Sequence, residues 1–334
     1  MYLLRRILRG SKAELRLETV GRSMMLLLLG VAAFSVSYIA VASIRRVAIR
    51  RNLLDVPNER SSHRLPTPRG GGLAIAGVVL IGFGLSRLVI ADLGARSMWG
   101  YLVGAAIIVT ASGADDLWTL SASLRLKIQL IAAVAFVTLA GSFDRIELPV
   151  AGTLNCGWLG IPITVFWILG LTNAYNFMDG IDGIAAGQAI VAGGMWTLAA
   201  TSLGLSALSV LSVLVVGASF GFLLHNMPPA RIFMGDVGST LLGYTFAVLP
   251  VLALQQTDNP RFAIAGVLSV GPFVLDTTLT IIRRAFNREN LLQAHRSHLY
   301  QRLVRRGYSH GFVSSMYTTL AALSAVLGLM YLKN

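Results

Sequence analysis

Long apolar stretches separated by short polar segments dominate the pattern of this chain. A membrane-spanning helix needs about 20 mostly apolar residues. Because the apolar residues run continuously instead of alternating with polar ones, they predict helices and not the strands of a β-barrel. The predicted spans are 24–43, 71–91, 98–114, 126–142, 159–177, 184–203, 206–225, 238–255, 262–282 and 311–331. The expected fold class is therefore all-α, a single polytopic membrane domain over residues 1–334 with about ten or eleven helices.

Composition supports a membrane protein and narrows its chemistry. The chain is 55% hydrophobic and 13% charged, whereas soluble domains carry about 25% charged residues. Its single cysteine, Cys156, excludes an internal disulfide framework and a metal site made only of cysteines. No cleavable signal peptide is apparent, because the apolar stretch that starts at Met24 has no small-residue cleavage site close behind it.

The net charge of +13 would fit a nucleic-acid-binding protein, but its distribution argues against that function. Seven arginines lie between Arg45 and Arg69, and seven more lie between Arg283 and Arg306. Basic loops next to membrane spans are retained on the cytoplasmic side, and they also attract anionic lipid head groups or a phosphorylated ligand. We therefore expect membrane lipid and no nucleic acid among the partners.

Placing the loop 44–70 inside puts the loops after the first, third, fifth, seventh and ninth spans on one side of the membrane. The polar motifs of the chain lie in these five loops, and the intervening outer loops are short and chemically plain. Residues 1–22, with six basic side chains, fall on the opposite side. A misassigned first span, a segment lying on the membrane, and a start at Met24 or Met25 remain as alternatives.

Three aspartates stand at the ends of two predicted spans: Asp115 and Asp116 follow the third span, and Asp236 precedes the eighth. Carboxylates are costly next to hydrocarbon and usually mark a functional site there. Neighbouring carboxylates can share a divalent cation, or one can bind metal while the other takes a proton. The structural alternatives are a turn with solvated aspartates and, for Asp236, a helix N-cap.

A second polar motif overlaps the end of the fifth span, and it repeats a polar side chain every third residue. Its members are Asn173, Asn176, Asp179 and Asp182. On a helix this spacing places polar groups along one stripe, and amides and carboxylates can bracket a nucleobase or a ribose. Gly180 and Gly183 would loosen the backbone and permit a ligand to approach closely. Helix capping alone needs fewer residues than this.

Two basic loops complete the candidate chemistry. Glycines at 70–72 open the second span, where backbone N–H groups could cradle an anion, although close packing is the common alternative. In the ninth loop, Arg296 and His298 are suited to holding a diphosphate, with a positive-inside signal as the alternative. Asp276 lies inside the ninth span, where a buried ion pair or a role near the site is expected.

The order and spacing of these motifs resemble the polyprenyl-phosphate N-acetylhexosamine-1-phosphate transferase family, whose members start peptidoglycan, teichoic-acid and O-antigen lipid carriers. The similarity runs from about Asp55 to Arg302. Its motifs are the Asp-Val-Pro…Pro-x-Pro-x-Gly-Gly loop from Asp55, Asp115-Asp116, Asn173-x-x-Asn-x-x-Asp-Gly-Ile-Asp-Gly, Phe-Met-Gly-Asp236-x-Gly-Ser, Pro272…Asp276-Thr and Arg296-Ser-His298. The resemblance implies a helical bundle in the bacterial inner membrane with its active site facing the cytoplasm.

The resemblance also implies an activity: transfer of an amino-sugar 1-phosphate from a UDP-N-acetyl amino sugar to undecaprenyl phosphate, with release of UMP, as the first step of a surface glycan. The implied cofactor is Mg²⁺, with Mn²⁺ as the alternative. The implied catalytic residues are Asp115, Asp116 and His298, and the implied metal ligands are Asp236 and Asp179. The implied substrate-binding residues are Asn173, Asn176, Asp179, Asp182, Arg296, Arg60, His63 and Arg125. Which of the paired aspartates acts as base, which sugar is transferred, and whether the chain forms a homodimer stay open.

Two departures from the family pattern bear on the substrate. Arg125 stands where relatives often have lysine, and the ninth loop reads His295-Arg-Ser-His298 where the peptidoglycan enzyme has three histidines. The muramoyl-pentapeptide substrate is therefore disfavoured against the O-antigen-like branch. The rival function is a proton-coupled secondary transporter, which predicts charged groups near the membrane midplane. A CDP-alcohol phosphotransferase would need a motif that does not follow Asp179-Gly180 here.

Overall fold

The computed structural model describes residues 2–57, 65–118, 120–290 and 296–333, with side chains from residue 20 onward. Within this part the chain is almost entirely helical. The helices are α1 Tyr2–Arg50, α2 Gly72–Ser86, α3 Ala95–Trp118, α4 Ala122–Ala140, α5 Gly160–Met178, α6 Ile184–Ser202, α7 Ser206–Asn226, α8 Asp236–Thr257, α9 Phe262–Ser269, α10 Gly271–Phe286, α11 Leu299–Arg305 and α12 His310–Lys333. The predicted all-α class is confirmed.

Eight helices of the described part are long and apolar enough to cross a membrane, and a bent pair makes a ninth candidate. The protein is therefore a multi-pass membrane protein, since lipid offers no partner for backbone polar groups and a helix satisfies them internally. Three of the predicted spans differ from expectation, two of them in length. α2, at 15 residues, is shorter than a full span requires, and α1 continues far beyond 24–43 in both directions.

The predicted span 262–282 is broken in the structure. α9 and α10 meet at Val270 at an angle of 82°. Pro272 lies in the first turn of α10, and a proline has no N–H to donate to the preceding turn and clashes with it. The proline is tolerated at the start of a new helix, so the break occurs just before it.

The centre of the bundle is α8. The apolar stretch of this helix is buried along its whole length, whereas the stretches of α1 and α4 are mostly exposed to the surroundings. α8 packs against α3 and α5. The N-terminal residue of α8, Asp236, therefore lies in the middle of one end of the bundle.

Two short hairpins accompany the helices. In the first loop, β1 (Leu54–Asp55) pairs with β2 (Thr67–Pro68). At the opposite end of the bundle from Asp236, β3 (Arg145–Leu148) pairs with β4 (Gly152–Asn155). The expectation that all outer loops are short and plain was wrong for this connection.

The β3–β4 hairpin is tied to the bundle by charge. Arg145 pairs with Asp258 at the end of α8, and the Glu147 carboxylate lies 2.9 Å from Arg261 Nε. These pairs join α8 to the connection between α4 and α5, so that they fix the end of the bundle that is remote from Asp236.

Candidate active site

The N-terminus of α8 is held by the acidic pair at the end of α3. The Asp116 carboxylate accepts hydrogen bonds from the backbone N–H groups of Asp236 and Val237. These N–H groups have no partner within the helix, and a negative charge is stabilised by the helix dipole at this position. Gly235, at φ +78°, makes the turn that brings Asp236 beside Asp116.

The two members of the acidic pair have different surroundings. Asp115 accepts a hydrogen bond from the Leu120 backbone at 2.6 Å and pairs with the Arg125 guanidinium at 3.0 Å. The same guanidinium lies 3.6 Å from the Asp236 carboxylate. Arg125 therefore joins Asp115 to Asp236, whereas Asp116 faces the cavity described below.

The first loop approaches this cluster through Arg69 and the glycines that follow it. Arg69 donates to the Asp116 carbonyl oxygen, and its guanidinium lies 3.8 Å from the Asp116 carboxylate. Gly71 and Gly72 donate their backbone N–H groups to carbonyl oxygens of the segment before α8. The anion-cradle prediction was wrong for these two residues, because their N–H groups already have protein acceptors.

The end of α5 supplies the next wall. Asn176 accepts a hydrogen bond from Ser239 at 2.7 Å, and Asp179 ends the helix as its C-cap. Asn173 lies one turn deeper, bonded to Gln129 at 2.6 Å, and it does not line the cavity. Within the polar stripe, Asn173 therefore joins α5 to α4. The other three members, Asn176, Asp179 and Asp182, line the cavity.

The glycines of this motif have structural partners. A Cβ at Gly180 would overlap the Tyr300 hydroxyl, which donates to the Phe177 carbonyl at 2.9 Å. Gly183 adopts φ +80° where α6 begins, a conformation that glycine takes at little cost. The close approach predicted at Gly180 is thus made by a tyrosine of the protein itself.

These segments enclose one cavity of about 420 Å³, a size suited to a small-molecule site. All five loops predicted to share one side contribute to it, so the prediction that they meet at one end of the bundle is confirmed. The lining residues are Asp55, Arg69, Asp116, Arg125, Asn176, Phe177, Asp179, Gly180, Ile181, Asp182, Asn226, Phe233, Met234, Gly235, Asp236, Gln301 and His310.

The carboxylates of the cavity raise one another's affinity for positive charge. Burial, followed by the nearby charges of Asp236, Asp116 and Asp182, raises the pKa of Asp179 well above its usual range. A buried carboxylate surrounded by others takes up a proton or a cation more readily than one in water. The acidic side of the cavity therefore favours a cation.

The carboxylate oxygens of the cavity suit a hard cation that is also coordinated by a substrate. Among the described residues, no group of three or more His, Cys, Asp or Glu side chains is placed to hold a metal ion by itself. Mg²⁺ is usually bound by one or two carboxylates together with substrate phosphates and water. Asp236 and Asp179 suit that pattern, and their assignment as metal ligands stays a prediction.

The ninth loop is organised by Asp276 on α10. The Asp276 carboxylate accepts from the backbone of Leu299 at 2.8 Å and of Tyr300 at 3.2 Å, and from the Tyr317 hydroxyl at 2.6 Å. Nδ1 of His298 lies 3.4 Å away. The structure thus places His298, just before α11, beside Asp276, and the expected ion-pair role of Asp276 stays a prediction.

The predicted site residues of the ninth loop do not line the cavity, whereas one of their neighbours does. The His298 side chain is 3% exposed, and its ring lies 6.3 Å from that of the cavity residue Phe177. Gln301 lines the cavity, whereas Arg296 and His298 are not part of its lining. Arg60 and His63 lie outside the described residues. The catalytic role of His298 stays a prediction.

Replacing Asp276 by asparagine is expected to destabilise the protein by about 2 kcal/mol, because hydrogen bonds to a buried charge are lost. Amide hydrogen exchange of residues 296–301 should accelerate more than that of α8. Tyr317→Phe, which removes one of the hydrogen bonds, should have a smaller effect in the same direction. Unchanged exchange in the Asp276 variant would show that the loop is held by other contacts.

Five polar or charged cavity residues were not among the predicted site residues: Asp55, Arg69, Asn226, Gln301 and His310. Asn226 ends α7 and accepts from the Gly183 backbone at 2.8 Å. His310 begins α12, and its Nδ1 lies 3.3 Å from the Asp182 carboxylate. Single polar residues at span ends carry no pattern that separates them from helix caps, so only the three-dimensional arrangement identifies them.

The chain is similar to known proteins over most of its length. The model of glycosyl transferase family 4 matches residues 98–254. The chain is 36% identical over 287 residues to a probable undecaprenyl-phosphate N-acetylglucosaminyl 1-phosphate transferase of Bacillus subtilis, covering 84% of this chain and 78% of the relative. It is 32% identical over 315 residues to a decaprenyl-phosphate N-acetylglucosaminephosphotransferase of Mycobacterium tuberculosis, covering 85% and 77%. It is 26% identical over 303 residues to an undecaprenyl-phosphate alpha-N-acetylglucosaminyl 1-phosphate transferase of Yersinia pestis, covering 89% and 81%.

Proposed function

Because this chain belongs to the polyprenyl-phosphate N-acetylhexosamine-1-phosphate transferase family, we propose that it transfers N-acetylglucosamine 1-phosphate from UDP-N-acetylglucosamine to undecaprenyl phosphate and releases UMP. It is a phosphoglycosyltransferase. The choice of sugar and acceptor rests on the names of its relatives. The alternative of a secondary transporter is not supported by these relatives. The product, a lipid-diphosphate-linked sugar, would serve as the first intermediate of a surface glycan.

The observation that carries this proposal is the convergence of Asp116, Asp179 and Asp236 on one cavity at an end of the bundle. A lipid phosphate reaches such a site from the head-group level while its tail stays in hydrocarbon. A nucleotide sugar enters from water. The site therefore lies where a membrane-bound acceptor and a soluble donor can meet.

The residues of the cavity suit an in-line transfer of a phosphoryl-linked sugar. An oxygen of the lipid phosphate attacks the phosphorus next to the sugar, and the bond from that phosphorus to the oxygen of the departing UMP breaks. Arg69 and Arg125 stabilise negative charge on the phosphates. Asp116 is the member of the acidic pair that faces the substrates, where it orients the lipid phosphate or accepts its proton.

We assign Asp236 and Asp179 as the ligands of Mg²⁺, with Mn²⁺ as the alternative. When bound, the ion neutralises charge on the diphosphate oxygens. The five aspartates of the described lining otherwise give it an excess of negative charge over its two arginines. Two phosphorylated substrates would be repelled by that excess, so a cation there favours their binding.

We further propose that the site faces the cytoplasm. Support comes from the basic residues at the same end of the bundle, such as Arg45, whose Nε donates to the Arg231 carbonyl at 3.1 Å. Positive charge next to spans is retained on the cytoplasmic side. UDP-sugars would then reach the cavity directly from the cytosol.

The reaction is tested with the full-length protein in detergent, undecaprenyl phosphate and a panel of UDP-amino sugars. We expect UMP and the lipid-linked product in equal amounts with UDP-N-acetylglucosamine, and no UMP without the acceptor. In sealed vesicles of known orientation, external donor should be used when the cytoplasmic face is outward. Absence of UMP release with every donor, or a requirement for a sealed compartment, would contradict the proposal.

A further inference from the structure

His310 and Asp182 lie side by side in the wall of the cavity. Nδ1 of His310 lies 3.3 Å from the Asp182 carboxylate, and the same carboxylate accepts from the Ala230 backbone at 3.1 Å. Ser314, one turn further along α12, donates to the Asp182 carbonyl at 2.6 Å. The pair is therefore held by α12 and by the connection between α7 and α8.

The imidazole retains one nitrogen for a ligand. The His310 side chain is 17% exposed and lines the cavity. With Nδ1 directed at Asp182, Nε2 is the ring nitrogen that can bind another molecule, because a carboxylate partner fixes the orientation and tautomer of an imidazole. Within the described part of the chain, Nε2 makes no hydrogen bond.

The two walls of the cavity differ in the ligand groups they suit. Arg69 and Arg125, the arginines of the described lining, lie within 4 Å of the carboxylates of Asp116 and Asp236. The wall at His310 contains the Asp182 carboxylate and the Gln301 amide, whereas the Asn226 amide is engaged with the backbone of Gly183 and Ile232. A phosphate is attracted to the first wall and repelled by Asp182, whereas hydroxyl and carbonyl groups suit the second.

We propose that His310 binds the nucleotide-sugar donor, through a hydrogen bond that Nε2 accepts from a neutral hydroxyl group, with Asp182 orienting the ring. Such hydroxyl groups occur in the ribose of the uridine and in the N-acetyl sugar, and both are parts of the same donor. The assignment rests on the proposed function. It adds a donor-binding residue from α12, an element in which the sequence shows no motif.

The test compares His310→Ala with His310→Gln in steady-state kinetics. Loss of one hydrogen bond should raise the KM for the UDP-sugar about tenfold in the alanine variant, with the KM for undecaprenyl phosphate unchanged and kcat altered by less than about threefold. His310→Gln keeps a side-chain acceptor, its amide oxygen, and should recover part of the affinity. Thr319→Ala, on the exposed face of the same helix, is the matched control and should leave both KM values unchanged.

Binding of UDP and of UDP-N-acetylglucosamine to the full-length variants identifies the group that His310 contacts. Equal weakening of both ligands assigns the contact to the UDP part, and weakening of the sugar nucleotide alone assigns it to the sugar. Both results support the proposal. A normal donor KM in His310→Ala combined with a lower unfolding temperature would overturn it, because the pair would then only join α12 to the bundle.

A rise in the KM for the lipid phosphate alone would also overturn the assignment, because it would place His310 on the acceptor. If the proposed function is wrong, the result is different: wild-type protein releases no UMP from any UDP-amino sugar. The donor assignment is then refuted as well. Active wild-type protein with unaffected His310 variants would refute the donor contact and leave the proposed function intact.

Discussion

Asp236→Asn is expected to lower the rate of sugar-phosphate transfer by about 10³-fold or more, the scale on which charge stabilisation contributes to phosphoryl transfer, while the protein stays folded in the membrane. Asparagine has nearly the same shape and keeps one oxygen that can accept. It loses the negative charge that the proposed Mg²⁺ ligand supplies. UMP release measured across a wide range of Mg²⁺ concentration checks this result.

Asp236→Asn should lose activity without losing stability. Asp236 lies next to the carboxylates of Asp115 and Asp116, with Arg125 as the nearby positive group at 3.6 Å. Removing one charge from a cluster of like charges relieves repulsion, so the unfolding temperature should be equal to or higher than that of the wild type. Active sites commonly hold such unfavourable charge because function requires it.

Asp258→Asn is the matched control at the other end of α8. The Asp258 side chain is 80% exposed, and its φ of +60° is one that asparagine tolerates. This variant should keep full activity. Full activity of Asp236→Asn with Mg²⁺, or equal loss in both variants, would refute the assignment of Asp236 as a metal ligand.

Hydrophobic runs predicted most of the helices because a lipid environment imposes one requirement, a continuous apolar length with its backbone bonded internally. The grouping of Asp116, Asp179 and Asp236 followed from topology, since loops two spans apart emerge on the same side. These parts of the fold depend on local sequence. They could be predicted without knowing which helices are neighbours.

Other features depend on contacts between distant segments, and the sequence did not reveal them. Asn173 and Asn176 share one stripe, yet Gln129 holds the first and Ser239 holds the second. His310 becomes a cavity residue only because α12 packs against α6, next to Asp182. A polar residue at the end of a span therefore indicates a cap or a site equally well until its neighbours are known.

A glycine at the end of a span likewise indicates either a binding site or close packing until its neighbours are known. At Gly72 the sequence allowed either an anion cradle or close packing, and the structure shows that α2 crosses α8 there. A Cβ at Gly238 would lie 2.7 Å from the Gly72 Cα, a separation that real Cβ contacts essentially never show. The missing side chains allow the two backbones to meet, and this contact lies half a turn from Asp236.

Gly72→Ala is therefore expected to destabilise the protein by about 1–3 kcal/mol, the range for inserting a methyl group into a packed interior. A Cβ at this position would overlap the backbone of Gly238 and lie 2.9 Å from the Met234 carbonyl oxygen. Neither group can rotate away as a flexible side chain would. The start of α8 must then move, so activity should fall together with the unfolding temperature in detergent.

Gly77→Ala in the same helix separates this packing effect from the general consequence of replacing glycine. A Cβ at Gly77 meets no atom of the described structure within 4 Å. Alanine favours a helix over glycine by about 0.5–1 kcal/mol, so this variant should be at least as stable as the wild type and fully active. Equal unfolding temperatures for the two variants would show that α2 and α8 can separate without cost, and the position of Asp236 would then have to be fixed by Asp116 and Arg125 alone.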